Sequence, residues 1–275
     1  MYKLILIDID DTLLNDDRQI SAGTREALKQ AMDKGVVVTL ATGRMYASAK
    51  QIAGSLQLNV PLITYQGSLV KTLLDENVLY ERSVPAESAV KLYEYCKEHG
   101  LHLQLYHDDI LYVQEDNDKA KAYADLSKIP YTVHPDFEQL VRQSMTKMLV
   151  IDEPEVLDRH AIVLKELIGG DVHITKSKPN FLEFVHKEGT KGDALRFLAS
   201  HCGCQIEETI AFGDSWNDME MITTAGLGVA MGNAVPALKA AADYVTLSNN
   251  DDGVKHVIDA FILGTAEKIA QPAQK

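Results

Sequence analysis

Leu4-Ile5-Leu6-Ile7-Asp8-Ile9-Asp10-Asp11-Thr12 decides how this chain is read, because an apolar run passes directly into three carboxylates. With Lys3 ahead of it, the run reads as a strand buried on both faces, as in a parallel sheet. Carboxylates crowded at a strand end repel one another, and a hard divalent cation with oxygen ligands is the simplest compensation. Mg²⁺ is the natural candidate. These residues alone leave a solvated acidic turn open as the alternative.

Outward from that strand, Ser21 to Lys34 reads as a helix ending at Gly35, and Val36 to Ala41 as a second strand. A further buried strand, Pro61 to Tyr65, follows a helical stretch, and LLDENVLYE has the pattern of a β-hairpin. The same grammar returns late in the chain: a helix from Lys191 to His201, a strand Thr209 to Phe212, a helix after Ser215 and a short strand from Leu227 to Ala230. Between them the pattern changes to helices and paired strands, including Lys147 to Ile151 and Phe181 to Val185. The expectation is an α/β protein: a doubly wound, Rossmann-like parallel-sheet core from residues 1–81 and 187–270, interrupted by an inserted α+β unit at 82–186. The tail TAEKIAQPAQK reads as fraying.

Composition narrows the function classes. Twenty-seven basic against 40 acidic residues give a formal charge of −13, which argues against nucleic acid or an anionic membrane as partner. No apolar run suits a signal segment or a membrane span, so a cytoplasmic protein is expected. Cys96, Cys202 and Cys204 lack the spacing of a zinc site or a disulfide framework and read as free thiols. Nothing implies an obligate protein partner. On so acidic a chain, a phosphorylated small-molecule ligand needs local cations.

Those cations and donors occur at further strand ends. Gly213-Asp214-Ser215-Trp216-Asn217-Asp218 follows the apolar TIAF and opens a helix, so Asp214 can complete a cation site begun by Asp8 and Asp10, while Asn217 offers an amide. Taken singly the segment is a good helix N-cap. Ala41-Thr42-Gly43-Arg44 offers a hydroxyl and an approachable N–H, and Gly189-Thr190-Lys191-Gly192 offers a point charge at a helix start, where free N–H groups favour phosphate. Together these describe a phosphoryl-transfer pocket.

DIDDTLL, ATGR, GTKGDAL and GDSWND, in that order, resemble the four motifs of the haloacid dehalogenase superfamily. More narrowly, they resemble its Cof-type, class IIB sugar-phosphatase-like branch, and SKPNFLEFVHKEGTKGDAL matches the stretch by which that branch returns from its cap. The resemblance implies a Mg²⁺-dependent phosphatase with Asp8 as nucleophile and metal ligand. It implies that Asp10 is general acid/base and lends its backbone carbonyl to the metal. It further implies that Ile9, Thr42, Gly43, Lys191 and Asn217 hold phosphate, that Asp214 ligates the metal, and that Asp218 supports the ligands. Arg44 either touches substrate or structures its loop.

Two departures from the family pattern stand out: Asp11 where the family usually has Gly, and Gln66 where the branch usually has Asn. The insertion is expected to choose the substrate, with Tyr106, His107 and Asn180 as candidate contacts; His99, His102 and His107 share no helical face and form no metal set. A phosphorylation-controlled receiver domain is the reading from another class, but its acceptor Asp ends the third strand, and here that strand ends in ITYQG. The intact Asp8/Asp10 pair argues against a silent sugar-phosphate binder. A phosphomutase shares the same core residues.

Overall fold

A computed structural model describes residues 1–58 and 60–265, so all of the tail beyond Thr265 lies outside the described residues. The first strand, β1 (Leu4–Ile7), is completely buried. After a wide turn comes α1 (Ala22–Asp33), whose N-cap Ser21 accepts the Thr24 N–H at 2.9 Å, and then β2 (Val37–Leu40) and α2 (Tyr46–Ser55). Strands β3 (Leu62–Thr64), β4 (Leu69–Lys71) and β5 (Val78–Glu81) form a small antiparallel sheet. The LLDEN half of the expected hairpin is therefore its loop, and the partner of VLYE lies upstream. Asp75, Asn77 and Thr72 hydrogen-bond one another there, as short polar side chains do in turns.

Next come α3 (Ala86–His99), β6 (His102–His107), β7 (Ile110–Val113), α4 (Asp118–Ser127), β8 (Tyr131–Val133) and α5 (Phe137–Leu140). They are followed by β9 (Lys147–Ile151), α6 (Pro154–Ile168), β10 (Val172–Lys178) and β11 (Phe181–His186). The six strands order as β10-β11-β9-β6-β7-β8, antiparallel except at β7–β8. Strand side chains alternate between faces. On β9, Met148 and Val150 join a cluster with Leu92 and Leu157 of α3 and α6, while Leu149 and Ile151 join the cluster of the parallel sheet. On β11, Leu182 and Phe184 go the first way and Phe181 the second. Lys147 and Glu183 thus share the face turned toward the first sheet.

The chain then returns through α7 (Lys191–His201), β12 (Thr209–Gly213), α8 (Met219–Thr224), β13 (Leu227–Ala230), α9 (Pro236–Ala241), β14 (Tyr244–Val245) and α10 (Gly253–Ile258). The parallel sheet orders as β14-β13-β12-β1-β2, and a single parallel bridge from Ala41 to Ile63 appends β3 beside β2. From β1 the chain winds outward one way through β2 and the other way through β12 to β14. That is the doubly wound arrangement, with its switch point between β1 and β12, where ligands of open α/β sheets bind. Asp8 and Asp214 sit at the carboxyl ends of those two strands. Among the described residues no helix is long and apolar enough to cross a membrane, and Cys96, Cys202 and Cys204 are unpaired.

Candidate active site

The end of β1 is tied to β12 by the Asp8 N–H, which donates to the Phe212 carbonyl at 3.0 Å. Beyond it, Leu13 N–H donates to the Asp8 carbonyl (3.2 Å) and Leu14 N–H to the Ile9 carbonyl (2.9 Å), closing a turn wider than an α-helical one. Within this turn Asp11 stands at φ +58°, a left-handed conformation that Asp tolerates better than most residues with a Cβ. The three carboxylates consequently diverge. Asp8 is buried, Asp10 meets Arg44, and Asp11 is exposed and pairs with Lys178 of β10 at 3.3 Å.

Asp8 lies in a crowd. Its carboxylate and those of Asp214 and Asp218 present oxygens within 4.8 Å of one another. Gly213 permits this approach, since a Cβ there would sit 2.5 Å from the Asp218 side chain. Asp218 is fully buried and accepts the N–H groups of Asp214 (2.9 Å) and Ser215 (3.0 Å). Lys191, also fully buried, donates to Asp8 at 2.5 Å and to Asp218 at 2.6 Å. Burial, the Asp218 charge and the Asp10 charge together push Asp8 up to about 7 against the pull of Lys191. Burial, then the Asp218 and Asp8 charges, push Asp214 up to about 9, although Thr12 donates to it at 2.8 Å.

The second strand end supplies the opposite wall. Arg44 grips Asp10 through two hydrogen bonds of 2.7 Å and donates to Ser48 Oγ at 3.1 Å. Burial works to raise the Asp10 carboxyl, but Arg44, with Lys178 and Arg18 behind it, holds it below its ordinary value. Arg44 N–H donates to Thr42 Oγ1 at 3.1 Å. A Cβ on Gly43 would lie 2.3 Å from Gln66 Nε2, so a side chain there would have to displace the Gln66 amide. The longer Gln66 amide reaches across Gly43 and accepts from Asn217 Nδ2 at 2.9 Å, while Gln66 Nε2 and Asn217 Oδ1 have no partner among the described residues.

One cavity gathers these groups. Asp8, Asp10, Asp11, Thr42, Gly43 and Arg44 line it with Asp214, Ser215 and Asn217. Ile9, Gln66, Lys191 and Asp218 stand behind that lining, and the Lys191 ammonium meets Asp8 and Asp218 there. The inserted unit closes the cavity with Tyr123, Leu126 and Ser127 of α4, with Ser177 and Lys178 of β10, and with Lys147, Phe181 and Glu183. Tyr106, His107 and Asn180 are not in that wall: Tyr106 is buried against Tyr65, and His107 turns to the Ser144 carbonyl. The sequence reading missed Arg18 and the buried Lys147–Glu183 pair (2.9 Å). A lone Glu inside the apolar run FLEFV was the available signal.

Comparison with known proteins shows the family. The family profile of haloacid dehalogenase-like hydrolases matches residues 5–258. A Bacillus subtilis protein named 5-amino-6-(5-phospho-D-ribitylamino)uracil phosphatase YcsE is 34% identical over 264 residues, spanning 95% of this chain and 96% of its own. The crystal structure of TM0651 from Thermotoga maritima is 39% identical with a TM-score of 0.81, covering 94% of this chain and 97% of that one. The HAD subclass IIB sugar phosphatase BT4131 superposes with a TM-score of 0.85 at 28% identity, covering 96% of this chain and 100% of that one. The chain belongs to the haloacid dehalogenase-like hydrolase family and is a phosphatase.

The Arg44–Asp10 pair makes a prediction with a definite sign. Asp10 is held below its ordinary value in the fold, so the pair stabilises above that ordinary value and its contribution fades as pH falls through the lowered one. Replacing Arg44 by Met leaves a carboxylate that is about two-thirds buried to the longer Arg18 contact at 3.3 Å and should cost roughly 1–3 kcal/mol at pH 7, less than a fully enclosed pair because solvent screens it. The gap between wild type and Arg44→Met in thermal melts should shrink below about pH 4. A gap that stays constant from pH 3 to pH 7 contradicts the assignment.

Proposed function

We propose that the chain is a Mg²⁺-dependent phosphatase of small phosphorylated metabolites, sugar phosphates or close relatives, in which Asp8 receives the phosphoryl group and Asp10 moves the protons. The supporting observation is the meeting of Asp8, Asp214 and Asp218 at the switch point, in a cavity whose other wall carries Thr42 and Gly43. All three offer hard oxygen donors, which suits Mg²⁺. Asp8, Asp214 and the Asp10 backbone carbonyl would hold the ion, and Asp218 would steady them through its bonds to the Asp214 and Ser215 N–H groups. When bound, the ion offsets the repulsion between the carboxylates and a phosphate dianion.

In this reading an Asp8 oxygen attacks phosphorus and the bond to the ester oxygen breaks. Asp10 protonates that oxygen as it leaves, then takes a proton from the water that attacks the aspartyl phosphate, freeing Asp8 and inorganic phosphate. The Arg44 grip favours ionised Asp10, the form that accepts the proton from water; donation requires that grip to loosen. The Ile9 and Gly43 N–H groups, Thr42, Lys191 and Asn217 hold the phosphate oxygens, and Lys191 reaches them from the Asp8 side. Residues 82–186 act as a cap over a core of 1–81 and 187–270, of which 266–270 lie outside the described residues, and its wall of Tyr123, Leu126 and Phe181 meets the leaving group. The names of YcsE, a 5-amino-6-(5-phospho-D-ribitylamino)uracil phosphatase, and BT4131, a sugar phosphatase, support a small phosphorylated metabolite.

Burial and mutual repulsion keep Asp8 and Asp214 raised without metal, so binding a divalent cation must expel protons. Mg²⁺ affinity should therefore rise with pH between about 6 and 9. Calorimetry in buffers of different ionisation enthalpy should show proton release, and excess chelator should abolish turnover. Buffer-independent heats, or full activity in chelator after metal stripping, contradict the metal assignment.

A second outcome separates the two aspartates. Asp10→Asn should turn over alkyl phosphates slowly in both steps, because a poor leaving group needs the proton. With a nitrophenyl ester the first step needs little help, so this variant should release one burst of nitrophenol per site and then slow. Asp8→Asn should show neither phase. A burst from Asp8→Asn, or a linear trace from Asp10→Asn, removes these roles.

A further inference from the structure

Resting on the phosphatase reading above, we propose that Asp109 and Lys147, both from the inserted unit, are positioning residues that hold the phosphate-binding loop Thr42–Tyr46 in its working shape. The loop enters α2 without a cap of its own: Met45, at the N-cap, has no side chain that can accept the first N–H groups. Those groups are satisfied from another part of the molecule. Asp109, at the tip of the β6–β7 hairpin, accepts the N–H of Tyr46 through one carboxylate oxygen and that of Ala47 through the other, each at 3.2 Å. Its negative charge also suits a helix N-terminus. Tyr65 O–H donates to the same carboxylate at 2.5 Å, and the Tyr65 N–H donates to the Arg44 carbonyl at 3.0 Å.

Lys147 acts one peptide earlier. The Thr42 carbonyl accepts from Gln66 N–H within the first domain, but the Gly43 carbonyl accepts from Lys147 Nζ at 2.8 Å. The Gly43 carbonyl and the Arg44 N–H lie in one rigid peptide plane. Fixing the carbonyl therefore fixes the N–H, which donates to Thr42 Oγ1 and leaves the threonine hydroxyl hydrogen free to turn to a phosphate oxygen. Lys147 is buried, paired with Glu183 at 2.9 Å, and set over the Tyr106 ring with its ammonium 4.6 Å from the centroid, so its ammonium is itself held in place. Neither residue needs to touch the leaving group for this role.

The test uses the full-length protein and three variants. Asp109→Gly removes the carboxylate without straining the hairpin, since position 109 stands at φ +58°, which glycine adopts freely. Lys147→Met with Glu183→Gln removes the donor to Gly43 without leaving a buried charge unpaired. Asp109→Asn keeps an acceptor oxygen and a tolerance for positive φ. Both disabling variants should bind inorganic phosphate about tenfold more weakly by calorimetry and lose kcat/KM by a similar factor. The loss should be the same for nitrophenyl phosphate and a hexose phosphate, because it acts through the phosphate loop, and Asp109→Asn should recover most of it. Unchanged phosphate affinity in the folded variants overturns the proposal, as does a loss that depends on the leaving group. Absence of turnover by the wild type would count against the phosphatase reading, while phosphate affinity would still decide this one.

Discussion

The carboxylate cluster of the site depends on the buried ammonium at the start of α7. Three carboxylates meet where β1 and β12 end, and Lys191, at the first position of α7, donates to two of them. Burying an ammonium is costly on its own, and so is burying Asp8 or Asp218; only the cluster is tolerable. The constraint reaches into the chain path. The return from the inserted unit ends at Thr190, whose side chain caps α7 in a reciprocal bond with Asp193, and the next residue, Lys191, reaches Asp8 and Asp218. Even so the balance favours acid: Asp8 and Asp214 remain raised, and a divalent cation is the natural completion.

The inserted unit contributes more than a cover. Alternation along β9 and β11 sends hydrophobic side chains to both sides, packing one face on α3 and α6 and the other on the parallel sheet. At Lys147 and Glu183 that second face carries charge instead, and the pair is affordable because Ser177, the Gly43 carbonyl and the Tyr106 ring complete its contacts. The chemistry of the first domain and the shape of the second thus meet at one loop, Thr42–Tyr46.

Much of this was legible in the sequence because parallel strands announce themselves as apolar runs and their ends as sudden polarity. Leu4–Ile7 into Asp8 and Thr209–Gly213 into Asp214 are of this kind, and the helix Lys191–His201 lies where its pattern puts it. The contacts of the insertion were not legible. Every residue of Lys147–Ile151 is buried, so the strand shows no period that would mark which face Lys147 takes. Tyr106 drew attention for its polar tip, yet its neighbours place it inside the core. Arg44 could have faced substrate or its own loop until the turn at Asp10 brought a carboxylate to it, and the Asp11 departure found Lys178 for the same reason: the turn spreads adjacent acids apart.

The account stands on Asp8 as the residue that becomes phosphorylated. The most direct measurement is acid quenching of the native enzyme during turnover, followed by peptide mass spectrometry to locate the phosphoryl group. Phosphate on the peptide carrying Asp8, labile to base as an acyl phosphate is, is the expected result. Phosphate on any other residue, or turnover with none trapped at any quench time, would contradict it.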